Sequence, residues 1–231
     1  MLKIKNLKKN YGDKTVLDDV NIEVLQGEIF GFIGPNGAGK TTTIKSIINI
    51  IDYFGEITFN DKNVLDDMLS FKKKLAYLPD NPTLYENISG IEYLKFVGSV
   101  YEMDTDLFNK EVEQLAKELE IYDVLGDKIS SYSHGMKQKL ALISAFMHHP
   151  KLLILDEPFV GLDPKASFIL KNKMREICNE GSIVFFSSHV LEVVEKLCDH
   201  FAVIKKGKIV YSGTMESLKD QSLEQLFLEL D

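Results

Sequence analysis

The stretch "FIGPNGAGKTTT", residues 32–43, restricts the fold more than any other feature of this chain. Gly34, Gly37 and Gly39 followed by Lys40 and Thr41 fit G-x-x-x-x-G-K-[ST], a phosphate-cradling loop. The motif needs a strand before it and a helix after it, and "EIFGFI" and "KTTTIKSIINI" supply them. Glycines let backbone N–H groups turn inward, Lys40 can bridge the β- and γ-phosphates, Thr41 can ligate Mg²⁺, and the helix N-terminus faces the anion. Such a site needs a carboxylate at the end of a second buried strand. "KLLILDEP" provides Asp156, placed to hold Mg²⁺ through water, and Glu157, able to polarise an attacking water.

The rest of the chain agrees with an α/β organisation. "EIFGFI", "KLLILD" and "SIVFFSS" are almost continuously apolar, as parallel strands covered on both faces are. "LKIKNLKKNY", "NIEVLQGEIF" and "GEITFNDKNV" alternate polar and apolar residues, which predicts antiparallel strands with one exposed side. From "AYLPDNPTLYENISG" to "KLLILDEP" the pattern is helical. Val112, Leu115, Ala116 and Leu119 fall at i, i+3, i+4 and i+7, and "IEYLKFVGSVY" has a wider apolar face expected to be buried between helices, the sharper alternative being a docking surface for a partner helix.

Composition narrows the partners. Twenty-seven basic against 35 acidic residues give a net charge of −8, which disfavours nucleic acid and anionic lipid. No run approaches the roughly 18 apolar residues that span a bilayer. The start "MLKIKNLKKN" has no secretory pattern, so a cytoplasmic location is expected. The two cysteines, Cys178 and Cys198, lack zinc-site spacing and are expected to be small buried apolar residues.

With these motifs in order, nearly the whole chain resembles the ATP-binding cassette (ABC) family, in its bacterial exporter-like subgroup. "SYSHGMKQK" occupies the place of the family signature Leu-Ser-Gly-Gly-Gln, matching at Ser133 and Gly135 and departing at Tyr132, His134 and Met136. "FVGLDP" looks like the D-loop with Asp163, "SSHVLEVVEKLCD" like the switch segment with His189, and Tyr11 stands where the family stacks a ring on adenine. The guanine-reading Asn-Lys-x-Asp motif is missing, which sets GTPases aside.

The resemblance implies a P-loop NTPase with a mostly parallel sheet: an antiparallel β subdomain within 1–28 and 55–65, a RecA-like core at 29–80 and 150–215, a helical subdomain at 84–149 and a helical tail at 215–231. It implies ATP held by Tyr11, Gly34, Asn36, Gly37, Ala38, Gly39, Lys40, Thr41 and Thr42, with Asp163 close by and Ser133 and Gly135 acting in trans. Mg²⁺ falls to Thr41, Asp156 and Asp80, and catalysis to Glu157 and His189. The family places a glutamine after a central strand where this chain has Asp80 or, as a substitute, Asn81; Lys139 replaces an arginine and so loses bidentate pairing. The expected partners are a second copy or a paralogous cassette and an integral-membrane permease docked near "YENISGIEYLKF", which would hold the chain at the inner membrane face. The alternative is a soluble cassette acting on ribosome or DNA, against which stand the acidic charge and the single cassette.

Overall fold

A computed structural model of the chain describes residues 1–218 and 221–230; residues 219, 220 and 231 of the expected 215–231 tail lie outside the described residues. The chain opens with β1 (Leu2–Tyr11) and β2 (Lys14–Val24), followed by β3 (Ile29–Ile33), α1 (Lys40–Ile47), β4 (Phe54–Phe59), β5 (Lys62–Asn63), α2 (Met68–Lys72) and β6 (Leu75–Leu78). Three helices come next, α3 (Gly90–Val100), α4 (Thr105–Glu118) and α5 (His134–Phe146). Then come β7 (Leu152–Asp156), α6 (Pro164–Asn179), β8 (Ile183–Ser188), α7 (Leu191–Leu197), β9 (His200–Lys205), β10 (Lys208–Thr214) and α8 (Leu223–Glu229).

Two sheets form, with strand orders β2-β1-β4-β5 and β10-β9-β3-β8-β7-β6. The first is antiparallel throughout. In the second, β9, β3, β8, β7 and β6 run parallel, and β10 closes one edge antiparallel to β9. The strand before Asp80 was expected at the centre; β6 is the opposite edge, because among the described residues no strand beyond it pairs with its outer side.

The continuous apolar runs have a simple cause. Along β3, Ile29 and Ile33 enter the core shared with the helices, while Phe30 and Phe32 enter the core shared with the antiparallel sheet and α1. Strands β7 and β8 alternate the same way, with Leu153, Leu155, Val184 and Phe186 on one face and Leu152, Ile154, Ile183 and Phe185 on the other. Both faces are dry, so neither can carry the polar half of an alternating pattern. Phe30 stacks on Phe185, its register partner on the neighbouring strand, with ring centroids 5.3 Å apart on the face of the second core.

The helices begin at side-chain caps. Ser89 and Glu92 form a capping box on α3, Asp104 caps α4, Ser133 caps α5, and Asp163 followed by Pro164 starts α6. Val112, Leu115, Ala116 and Leu119 are buried as their spacing predicts. Helix α3 differs from expectation: Leu94 is fully buried, but Phe96 and Val100 are 49% and 56% exposed. Its wide apolar face is therefore only partly used inside the molecule. Cys178 and Cys198 are buried, unpaired thiols. Among the described residues no helix is long and apolar enough to cross a membrane.

Gly31, in the middle of β3, lets α7 lie directly on the sheet: a Cβ there would stand 2.6 Å from Val194 Cγ1 and 2.7 Å from Cys198 Sγ. Gly31→Ala is expected to destabilise the fold by about 1–3 kcal/mol, as overpacking does. Urea denaturation checks this, through a lowered midpoint at unchanged slope.

Candidate functional site

The parallel strands deliver their C-terminal ends to one side of the sheet, and the phosphate loop leaves from β3 there. Gly37 and Gly39 have φ values of 78° and 116°, a left-handed conformation that favours glycine. Ala38 N donates to Pro35 O at 3.1 Å, turning the loop into α1. Gly39 caps α1 without any side chain, which leaves the first-turn N–H groups to face an anion. The loop is pinned from behind: Gly207 N donates to Ala38 O at 2.9 Å, and Asp18 N donates to Gly207 O at 2.9 Å. The β9–β10 turn thereby joins the loop to the antiparallel sheet. Lys40 is 7% exposed, donates through Nζ to Gly34 O at 2.7 Å, and lies 3.6 Å from Glu157 Oε1.

A cleft of about 570 Å³ opens over this loop. Asn36, Gly37, Gly39, Lys40, Thr41 and Thr42 form its floor residues, while Gly34 and Ala38 hold the loop from within and Ala38 is buried. Tyr11, half exposed, comes to the same cleft from β1 with Lys9 Nζ 5.0 Å from its ring centre. Asp80, Asp156 and Glu157 complete the walls.

The carboxylates are held in detail. Asp156 is 2% exposed at the end of β7; Thr41 Oγ1 donates to its Oδ2 at 2.8 Å, and Ser187 Oγ donates to its Oδ1. Glu157 adopts φ 50°, uncommon for a non-glycine residue, and this turn is stabilised where its N–H donates to Ser187 O at 3.2 Å. Its Oε2 lies 2.8 Å from His189 Nδ1 and accepts from His189 N at 3.3 Å. His189 thus touches Glu157 and orients it. Burial, with Asp156 and Asp80 nearby, pushes the Tyr77 phenol up to about 12, so this ring at the end of β6 stays neutral.

Asp80 faces the cleft, whereas Asn81 lines a separate surface pocket with His134 and Lys137. The structure does not bring Ser133, Gly135 or Asp163 into the cleft. Ser133 Oγ accepts from Met136 N at 3.2 Å as the cap of α5. Gly135 lies close to the D-loop segment, where a Cβ would stand 3.5 Å from Gly161 O. Asp163 accepts from Ala166 N at 2.8 Å and pairs with Lys139 Nζ at 2.8 Å, and the bond from Lys139 holds its carboxyl below the usual value. The acidic partner of Lys139 is therefore Asp163, joined by a single ammonium rather than a guanidinium fork.

Two residues absent from the sequence-based site bond to residues that line it. Ser187 supports both Asp156 and Glu157; its signal is a polar pair ending the apolar run "IVFF". Gln138, 1% exposed, donates through Nε2 to Asp80 O at 3.0 Å. Among the described residues no three His, Cys, Asp or Glu side chains cluster as a metal cage. Thr41 and Asp156 are hard oxygen donors beside the phosphate loop, which suits a Mg²⁺ that takes its remaining ligands from nucleotide phosphates and water.

The family profile described as ABC transporter matches residues 17–160. EcsA of Bacillus subtilis (strain 168), an ABC-type transporter ATP-binding protein, is 35% identical over a 237-residue alignment covering 100% of this chain and 96% of EcsA. The linearmycin resistance ATP-binding protein LnrL of the same organism is 34% identical over 219 residues, covering 94% of this chain and 70% of LnrL. The solved structure of an ATP-binding subunit of an ABC transporter superposes with a TM-score of 0.94 at 34% identity, covering 100% of this chain and 99% of that one. By sequence, fold and the placement of its phosphate loop, the chain belongs to the ABC transporter family as an ATP-binding, ATP-hydrolysing subunit.

Proposed function

We propose that this subunit works as one half of a head-to-tail pair, closed around two Mg-ATP, that drives a separate integral-membrane permease. The observation that carries the reading is spatial: Ser133 and the N-terminus of α5, suited to a γ-phosphate, belong to a different part of the surface from the cleft of Lys40, Asp156 and Glu157. One chain offers both halves of a site but not to the same nucleotide. A second copy, or a paralogous cassette, completes each site in trans.

Within that site the roles follow from contacts. Loop N–H groups and Lys40 bind the phosphates, leaving Gly34 O for the anion. Thr41, Asp156 and, across the cleft, Asp80 are the residues that would hold Mg²⁺, which neutralises charge on the phosphate oxygens when bound. Glu157, aimed by His189, accepts a hydrogen bond from the attacking water. Loss of the γ-phosphate removes the group that both chains grip, and the pair opens.

The permease reading rests on family membership and on a second, apolar cleft of about 380 Å³. Its apolar lining includes Ile48, Ile50, Leu69 and Val100, of which the last three are more than half exposed, and Lys72 and Lys73 stand at the same cleft. A cytoplasmic helix of the permease is the proposed occupant, which would place this subunit at the inner membrane face. Tyr77 lies on β6, and three residues further Asp80 enters the nucleotide cleft, so a single short segment touches both clefts. Tyr85 and Phe96 meet edge to face at 5.7 Å in an exposed aromatic pair that extends the surface along α3. Export is the favoured direction, since one relative is named for resistance to linearmycin.

Glu157→Gln is expected to keep ATP binding and to lower turnover by about 10²–10⁴-fold, the range of general-base contributions; a phosphate-release assay beside a nucleotide-binding titration checks it. Val100→Glu and Phe96→Glu, both at exposed positions, are expected to abolish the response of ATP turnover to the permease while basal turnover stays unchanged. Comparison of the isolated subunit with the reconstituted transporter shows whether it does.

A further inference from the structure

Gln138 is a buried amide that the reaction as described above does not use. It sits on α5, five residues beyond Ser133, on a helix whose neighbouring positions Leu140, Ala141, Leu142 and Ile143 are all buried and apolar. A primary amide in such surroundings is costly unless it is partnered, and its Nε2 donates to the backbone carbonyl of Asp80 at 3.0 Å. That bond joins positions 58 residues apart and involves the one residue of the β6–α3 connection that reaches the nucleotide cleft. Asp80 is also held on its side-chain side, where Oδ1 accepts from Asn81 N at 2.8 Å. With the carbonyl fixed by α5 and the carboxylate fixed by the next amide, the direction of the Asp80 side chain is set from outside the cleft.

We propose that Gln138 is a positioning residue for the ATPase reaction, aiming Asp80 into the cleft and tying its placement to α5. The neighbouring Lys139 makes the companion link, to Asp163 at the start of α6. Consecutive residues of one helix thus hold Asp80, at the chain's own cleft, and Asp163, outside it, while the N-terminus of the same helix, on the proposed function, meets the nucleotide of the partner chain. Displacement of α5 at one nucleotide carries Asp80 with it at the other.

The inference rests on the reading that Asp80 acts in the cleft, and a double-mutant cycle separates the two. Gln138→Met keeps the side-chain length and removes the donor. It is expected to lower kcat about tenfold, with KM for ATP changed by less than about threefold, because binding by the phosphate loop is untouched. In an Asp80→Ala background the same substitution is expected to cost little further, since the group it positions is gone. Equal losses from Gln138→Met in both backgrounds would overturn the role of Gln138 while leaving Asp80 in place. Unchanged turnover in Asp80→Ala alone would overturn the role of Asp80 and the inference with it. Thermal melting accompanies the kinetics. If Gln138→Met does not fold, Gln138→Glu replaces it in the same cycle, preserving the volume and, when ionised, lacking the donor.

Discussion

The Asp156 carboxylate is the point on which the rest of the site depends. A charge this deeply buried is stable only when its oxygens are taken, and each is: Thr41 from the first helix binds one and Ser187 from β8 the other. These bonds hold the phosphate loop, the end of β7 and the end of β8 at fixed separation. Glu157, next in sequence, is turned into the cleft by a backbone hydrogen bond to the same Ser187. The geometry that places the Glu157 carboxylate beside the phosphate loop is thus a consequence of satisfying the oxygens of one buried acid.

How much of this was legible from the sequence depends on whether a residue acts locally or at a distance. The phosphate loop could be read because its glycines and Lys40 are contiguous, and the backbone conformation they need is encoded within a few residues. The buried strands could be read because both of their faces are dry. Strand order was not legible, and β6 proved to be an edge although the family pattern had placed it centrally. The partners of Asp163, Asp80 and Glu157 were equally out of reach, since Lys139, Gln138 and His189 meet them across long stretches of chain. The α3 face was legible only in part for a related reason: Ile91, Tyr93, Leu94 and Val97 pack on the core while Phe96 and Val100 stay exposed, and periodicity tells which side is apolar but not how much of it the molecule itself covers.

Two clefts, one polar and one apolar, are connected by a short path. Strand β6 borders the apolar cleft at Tyr77 and ends just before Asp80, which lines the cleft over the phosphate loop. Helix α5 reaches the same aspartate through Gln138 and carries the signature residue Ser133 at its own N-terminus. On the proposed function, movement at the membrane partner and capture of a neighbour's γ-phosphate therefore converge on one loop. An edge strand is suited to such a part, because only one of its sides is committed to the sheet.

The central claim is that ATP, through its γ-phosphate, holds two such chains together. Sedimentation velocity of the hydrolysis-deficient Glu157→Gln chain with Mg-ATP and with Mg-ADP tests it most directly. The account predicts a dimer with ATP and a monomer with ADP. A chain that stays monomeric with both nucleotides, or dimeric with both, would contradict it.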